Sequence, residues 1–227
     1  LSLFIRREDL IHPFISGNKF RKLKYNLVQA KAENQDTLLT FGGAFSNHIA
    51  ATAFAGKEYG FKTIGIIRGD ELESKILINP TLKFAQECGM QFKFITREKY
   101  RHKTEADFIE NLTHEFGIFY YAPEGGTNEF AVKGCEEILS KADSQYDFVC
   151  TSVGTGGTIS GIINSSFPHQ KVLGFPALKG DFLNNEIRKF VHKENWELIT
   201  DYHFGGYGKV NPELIAFVNQ FYAENQV

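Results

Sequence analysis

The sequence predicts an α/β protein built on mainly parallel sheets, and three observations support this fold class. Short runs of β-branched and aromatic residues alternate with longer segments that repeat apolar residues every three or four positions. Two glycine-rich stretches each follow an apolar run and precede a helical one. With 42% hydrophobic residues in a chain of 227, there are enough apolar side chains for a sizeable core. Alternation of this kind is typical of parallel sheets covered by helices.

The elements follow one another in a regular order. Strands are predicted at 37–40, 63–67, 91–95, 119–121, 148–151 and 171–175. Helices are predicted at 21–32, 46–59, 80–88, 105–116, 131–140, 158–164, 184–196 and 212–224. Asn211 before Pro212 indicates a helix cap followed by a proline in the first turn. The turn cluster at 123–128 is a candidate crossing point between two lobes.

Composition and charge exclude several classes of function. A formal net charge of -2, with acidic and basic residues interspersed, provides no basic surface for nucleic acid. The longest apolar runs, such as 63–67, are too short to cross a bilayer, so no membrane association is expected. Cys88, Cys135 and Cys150 are odd in number and lack a Cys-x-x-Cys spacing, which favours a reducing compartment and a cytoplasmic protein. The expected partners are small molecules or further copies of the chain.

Lys19 is the first candidate for chemistry. An isolated lysine is most often a surface residue, but Gly17 before it allows a close approach of the backbone to a ligand. Arg21 and Lys22 follow it, and their positive charges are expected to lower the pKa of the Lys19 amine. A neutral amine is what Schiff-base formation requires, so Lys19 is a candidate nucleophile toward an aldehyde.

The second candidate segment begins at Gly42 and Gly43, after the predicted strand 37–40. Strands of open α/β sheets bind ligands at their carboxyl ends, where this turn lies. Ser46 is expected to cap the next helix, and the N–H groups around Asn47 and His48 are expected to face outward and to bind a carboxylate. The alternative is that Ser46 and Asn47 only cap the helix.

The third candidate segment is the glycine loop 154–158, which again joins an apolar strand to an apolar helix. Its backbone N–H groups and the hydroxyls of Thr155 and Thr158 could surround a phosphate. Ile159 breaks the dinucleotide-binding pattern and Ile162 stands where the Walker A pattern has lysine. Together with an amine nucleophile and a carboxylate site, a phosphate loop suggests pyridoxal phosphate acting on an amino acid.

Metal and triad chemistry have little support in the sequence. The chain has no Gly-x-Ser-x-Gly elbow. Its seven histidines never form a His-x-x-x-His pair, and no metal site is predicted from His12, His48, His102, His114, His169, His192 and His203. Tyr207 is bracketed by three glycines and could act as an acid or nucleophile near a cofactor, although this segment alone slightly favours a loop aromatic packed on a lobe edge.

The motifs resemble those of the 1-aminocyclopropane-1-carboxylate deaminases and D-cysteine desulfhydrases, pyridoxal-phosphate enzymes of the tryptophan synthase β-like fold (fold type II). The similarity runs through nearly the whole chain and is carried by Arg-Arg-Glu-Asp at 6–9, Gly-Asn-Lys-x-Arg-Lys-Leu at 17–23, Ser-Asn-His at 46–48 and Phe-Gly-Gly-Tyr-Gly at 204–208, whose tyrosine is Tyr207. The resemblance implies two lobes, each a mainly parallel twisted sheet flanked by helices. The larger, cofactor-binding lobe would comprise 1–21 and 123–227, and the smaller lobe 22–122.

The resemblance also implies roles for individual residues. Lys19 would form the Schiff base with pyridoxal 5'-phosphate and move a proton on or off the substrate. Asn47 would bind the pyridine 3-oxygen, and Ser46 with the N–H groups of Asn47 and His48 would bind the substrate carboxylate. Tyr207 would face the substrate. The phosphate would be held by Lys22, Thr155, Gly156, Gly157 and Thr158.

The implied activity is a deaminase or lyase (hydrolase in some classifications) that releases ammonia, with or without sulfide, from a small amino acid. Ring-opening deaminases tend to carry glutamine after the Ser-Asn pair, whereas the desulfhydrase-like branch carries histidine, as at His48. A serine or threonine dehydratase, a racemase, or a binding protein without turnover are the alternatives. Homodimers are usual in the family. The family extends beyond Val227, so part of the C-terminal lobe, with a second tyrosine and the partner of the pyridine nitrogen, is expected to be missing.

Overall fold

The computed structural model describes residues 2–178, 180–206 and 208–226. These residues form two compact units, Leu1–Ile138 and Leu139–Val227. The lobes expected from the sequence, with boundaries at 21/22 and 122/123, stay a prediction.

The first unit is built on a four-stranded parallel sheet in the order β3-β2-β1-β4. Its strands are β1 (Thr37–Gly42), β2 (Lys62–Arg68), β3 (Gln91–Ile95) and β4 (Tyr120–Ala122). Its helices are α1 (Asn18–Ala32), α2 (Asn47–Tyr59), α3 (Pro80–Glu87), α4 (Arg97–Arg101), α5 (Ala106–Phe116) and α6 (Glu129–Cys135). Short 3₁₀ segments lie at Glu8–Leu10, Asp70–Ile78, Glu124–Gly126 and Glu136–Ile138. Every residue of β1 is buried, because helices and neighbouring strands cover it on all sides.

The second unit carries a three-stranded parallel sheet in the order β5-β6-β7. Its strands are β5 (Phe148–Val153), β6 (Lys171–Pro176) and β7 (Trp196–Leu198). Its helices are α7 (Gly157–Ser165), α8 (Phe182–Arg188) and α9 (Pro212–Asn225), with a 3₁₀ segment at Lys141–Gln145. The predicted cap of α9 is present, since Asn211 Oδ1 accepts a hydrogen bond from the Leu214 amide at 2.8 Å.

The predicted α/β class and all six predicted strands are confirmed, with shifts of one or two residues at their ends. The predicted helix 184–196 is wrong in its second half: α8 ends at Arg188, and Trp196 begins β7. Pairing with β6 decides this, because Val172 donates to the Asn195 carbonyl at 2.9 Å and Trp196 pairs with Val172. Lys193 holds the connecting segment by donating to the carbonyls of Asn164 and Ser166. Tertiary pairing overrode an apolar spacing that fits a helix.

Within the described residues, no helix combines the length and the apolar character needed to span a membrane. Cys88, Cys135 and Cys150 form no disulfide.

Candidate active site

Lys19 lies in the first turn of α1, two residues after Gly17, whose backbone conformation is one that other residues rarely adopt. Gly17 is the N-cap of this helix, with φ +60° and ψ -141°, and no side chain caps the helix there. The Lys19 ammonium donates to Asn18 Oδ1 at 3.2 Å. Lys19 is partly buried, and this burial lowers the pKa of its amine, while the charge of a Cys135 thiolate opposes the effect.

The lowered pKa of Lys19 agrees with the sequence prediction, but its cause differs. The sequence predicted a lowered Lys19 pKa from the positive charges of Arg21 and Lys22. The Arg21 guanidinium is paired instead with Glu8 at 2.9 Å and with Glu137 at 3.5 Å. Desolvation of the amine is therefore the main cause.

Lys22 is one turn further along α1 and is only 2% exposed. Its ammonium donates to the Gly125 carbonyl at 3.0 Å and to Thr127 Oγ1 at 2.9 Å. Burial, and then the charge of Lys19, lowers the pKa of Lys22 to about 7. The sequence identified the turn cluster 123–128 but not its contact with Lys22. The two adjacent glycines of this cluster, Gly125 and Gly126, were the signal in the sequence that could have indicated a functional turn, since both adopt positive φ values.

The turn between β1 and α2 is tight, and it carries Ser46. The Ser46 amide donates to the Gly43 carbonyl at 3.0 Å, and a Cβ at Gly42 would lie 2.9 Å from Ser46 Oγ. Ser46 caps α2 as predicted, because its Oγ accepts from the Ile49 amide at 3.4 Å. Its O–H donor is not used by this cap. Asn47 is exposed at the first position of the helix.

His48 differs from its two neighbours because its side chain points into the protein. It is 1% exposed, and Nε2 lies 2.8 Å from Thr40 Oγ1 on β1. Burial, followed by the charges of Lys19 and Lys22, holds the pKa of His48 well below its usual range, so the imidazole is neutral. A Cβ at Gly126 would lie 2.8 Å from His48 Cε1. The two lysines, His48 and the turn at Gly126 thus form one cluster within the first unit.

The glycine loop of the second unit joins β5 to α7. Gly156 is the N-cap of α7 with φ +86°, and no side chain caps this helix. A Cβ at Gly154 would meet no atom within 4 Å, whereas one at Gly156 would lie 3.2 Å from Ile187 Cγ1. An uncapped first turn of backbone N–H groups with open space beside Gly154 suits a phosphate. The predicted loop residues Thr155, Gly157 and Thr158 all belong to this segment.

Tyr207 lies outside the described residues. Nowhere in the part of the chain that the structure describes do three or more His, Cys, Asp or Glu side chains group in a way that could hold a metal ion. Each unit by itself carries one feature that suits pyridoxal phosphate: the first has the Lys19 amine, whose pKa is lowered, and the second has the glycine-lined start of α7.

The family model for pyridoxal-phosphate dependent enzymes matches residues 1–175. The chain belongs to this family. The cofactor predicted from the sequence is therefore the cofactor of its family, and the chain is an enzyme of that family.

Relatives with a named activity support the predicted branch of the family. A Pyrococcus horikoshii protein, provisionally named a 1-aminocyclopropane-1-carboxylate deaminase, is 27% identical over 239 aligned positions, covering 96% of this chain and 71% of the relative. The mitochondrial bifunctional D-cysteine desulfhydrase/1-aminocyclopropane-1-carboxylate deaminase of Arabidopsis thaliana is 31% identical and covers 70% of this chain and 44% of its own length. A D-cysteine desulfhydrase of Klebsiella pneumoniae is 23% identical over 95% of this chain and 73% of the relative.

Solved structures give the same result for the fold. The crystal structure of a 1-aminocyclopropane-1-carboxylate deaminase homologue superposes with a TM-score of 0.83 at 25% identity, covering 98% of this chain and 73% of that one. A threonine deaminase shares the fold alone, with a TM-score of 0.51 at 20% identity over 69% of this chain and 49% of that one. The predicted fold type II architecture is confirmed, as is the predicted resemblance to the deaminase and desulfhydrase family.

Proposed function

We propose that this protein is a pyridoxal-phosphate dependent lyase that releases ammonia, with or without sulfide, from a small amino acid. Its activity is of the 1-aminocyclopropane-1-carboxylate deaminase or D-cysteine desulfhydrase type. The observation that carries the proposal is the Lys19 amine, which is held at a glycine-entered helix start with a lowered pKa. The named relatives support this activity over a dehydratase, a racemase or a binding protein without turnover.

When bound, pyridoxal phosphate supplies an aldehyde for an amine and an electron-withdrawing ring. The Lys19 amine would hold this aldehyde, because a lowered pKa leaves a larger neutral fraction. The same amine, when free, would accept or return the proton at the substrate Cα. Burial, followed by the charges of Lys19 and Lys22, lowers the pKa of His48 and keeps its imidazole neutral.

The start of α2 binds the substrate carboxylate in this proposal. The N–H groups of Asn47 and His48 lie in the first turn of the helix, where the helix dipole favours an anion. Ser46 Oγ–H adds a donor, since its cap bond with the Ile49 amide uses only an acceptor lone pair. The exposed Asn47 side chain would bind the pyridine 3-oxygen. Tyr207, which lies outside the described residues, would act on the substrate as an acid or nucleophile.

The loop containing Thr155, Gly156, Gly157 and Thr158, whose helix carries no side-chain cap, would hold the phosphate. Lys22 would contribute a positive charge to it. We further propose a cytoplasmic homodimer, because an odd number of cysteines without a Cys-x-x-Cys spacing favours a reducing compartment and homodimers are usual in the family. Light scattering on purified protein tests the dimer.

The first experiment tests the amine. Borohydride reduction of the yellow holoenzyme is expected to remove the visible band and to attach the cofactor to Lys19, as located by peptide mass spectrometry. Lys19→Ala is expected to lose turnover by at least about 10³-fold, because no other group replaces its covalent role. Lys31→Ala, an exposed lysine of the same helix, is the control and should retain activity. Normal turnover in Lys19→Ala would contradict the proposal.

A second experiment separates the two activities. Pyruvate, ammonia and sulfide from D-cysteine indicate a desulfhydrase, and 2-oxobutanoate with ammonia from 1-aminocyclopropane-1-carboxylate indicates a deaminase. A panel of amino acids that yields neither product would exclude both.

A further inference from the structure

Arg68 is the last residue of β2, and its guanidinium lies against the turn that carries Ser46. Nη2 is 3.6 Å from the position that a Cβ would take at Gly43. The Gly43 carbonyl accepts from the Ser46 amide at 3.0 Å, so Gly43 and Ser46 close the same turn. The adjacent ends of β1 and β2 explain this placement, since Gly42 pairs with Ile67. The sequence alone does not single out Arg68, because an arginine at the end of a strand is usually only a solvated residue.

A buried aromatic ring holds Arg68 in place. Its guanidinium carbon lies 5.6 Å from the centre of the Tyr100 ring. Tyr100 is 3% exposed and makes an edge contact with Phe41 at 6.1 Å between ring centres. Stacking of this kind restrains the guanidinium while its N–H donors stay available at the edge of the plane.

The positive charge of Arg68 has no acidic partner in the structure. Among the described residues, the Arg68 side chain makes no hydrogen bond or ion pair, and it is exposed. Two acidic groups lie in this neighbourhood and both have other partners: Glu71, whose carboxylate is 2.9 Å from the Cβ position of Gly69, pairs with Arg97 at 2.6 Å, and the charge of Glu124 adds to burial in raising the pKa of Tyr100. Glu124 is paired with Lys103 at 3.3 Å. One permanent cation is therefore available beside the Ser46 turn.

The start of α2 offers only a partial charge to a carboxylate. A helix N-terminus is equivalent to about half an elementary charge, and its effect at an exposed position is weakened by solvent. Ser46 and Asn47 are neutral. A guanidinium, in contrast, stays charged at every physiological pH and matches the geometry of a carboxylate. A full positive charge beside the turn would therefore strengthen the binding of a carboxylate there.

We propose that Arg68 is a positioning residue that attracts and orients the substrate carboxylate at the Ser46 turn. The inference rests on the proposed function, which binds this carboxylate at the start of α2. It extends that function by selecting amino acids with an α-carboxylate over amides and amines that lack one.

The test compares Arg68→Gln and Arg68→Lys with the wild-type holoenzyme. Loss of a charge-assisted interaction is expected to raise KM for D-cysteine about 10- to 100-fold, with kcat changed less than about threefold. Arg68→Lys should recover part of this loss, because it keeps the charge. Arg101→Gln is the matched control: it removes the same charge from an exposed residue next to Tyr100 and should leave KM unchanged.

A binding measurement separates this inference from the proposed function, because it needs no turnover. Titration calorimetry compares D-alanine with D-alaninamide, which differ only in the carboxylate. The wild-type protein is expected to prefer D-alanine, and Arg68→Gln to lose most of that preference. Equal preferences in the two proteins, or no preference in the wild type, would overturn the role of Arg68. If the wild-type protein prefers D-alanine but releases no product from D-cysteine or 1-aminocyclopropane-1-carboxylate, only the proposed function is contradicted.

Discussion

The two strand-to-helix turns of this protein share a topology but differ in how their helices begin. The turn after β1 leads to Ser46, whose side chain caps α2. The turn after β5 leads to Gly156, which has φ +86° and leaves α7 without a side-chain cap. A capped start offers a hydroxyl and a few N–H groups, which suits a planar carboxylate. An uncapped glycine start offers its backbone N–H groups, which suits the several oxygens of a phosphate. The number of glycines in a strand-to-helix turn therefore does not by itself determine which anion the turn binds.

The two turns also differ in charge. Lys19, Lys22 and His48 form an electrostatically coupled cluster in the first unit, and all three have lowered pKa values. The loop 154–158 contains no ionisable side chain. The first turn is thus accompanied by buried basic groups, which reduce the stability of the folded protein.

The largest expected effect concerns Lys22. Its pKa is about 7 in the folded protein and 10.5 in the unfolded chain. Between these pH values the unfolded chain binds a proton that the folded protein does not, so the free energy of unfolding rises with pH. The slope reaches about 1.4 kcal/mol per pH unit, or about 4 kcal/mol over three units. Below pH 7 both states are protonated and the dependence ends.

Lys22→Met should make this slope shallower and raise stability at pH 7, because it removes a buried amine. Lys19 contributes a slope of the same sign, which remains in the variant. Urea unfolding of the cofactor-free protein from pH 6 to pH 10 measures the effect, with exposed Lys31→Met as the control. Identical slopes in Lys22→Met and the wild type would show that Lys22 keeps its ordinary pKa.

A second prediction compares one glycine from each turn. A Cβ at Gly42 would lie 2.5 Å from Ile49 Cγ1 and 2.9 Å from Ser46 Oγ, whereas one at Gly154 would meet nothing within 4 Å. Gly42→Ala is therefore expected to lower the free energy of unfolding by about 2–3 kcal/mol through overpacking. Gly154→Ala should change it by less than about 0.5 kcal/mol, because its backbone is not in the positive-φ region. Similar costs at the two positions, measured by urea unfolding, would remove the distinction between the turns.

Much of this contrast was accessible from the sequence, because strands and caps depend on local patterns. The buried run 37–40 and the cap at Ser46 could be predicted from residue types alone. The β7 strand could not, since Trp196 lies in a segment whose spacing fits a helix and pairs with β6 only in the folded protein. Which charged side chains form ion pairs could not be predicted from the sequence either. Nothing local distinguishes the paired Arg21 from Arg68, which has no ion pair among the described residues.

The smallest predicted effect tests the dual use of Ser46. Ser46→Ala removes the acceptor for the Ile49 amide and should lower the free energy of unfolding by about 1 kcal/mol, the usual cost of losing an N-cap. Ser46→Thr keeps both the acceptor and the O–H donor, and should recover most of the stability. If the hydroxyl also donates to the substrate carboxylate, Ser46→Ala raises KM in addition, whereas a pure cap would change stability alone. Urea unfolding and steady-state kinetics on the same two variants separate these outcomes. The N-cap of α7 is Gly156, which has no hydroxyl that a substitution could remove. A KM effect at Ser46 would therefore link the difference between the two turns to the anion that each one binds.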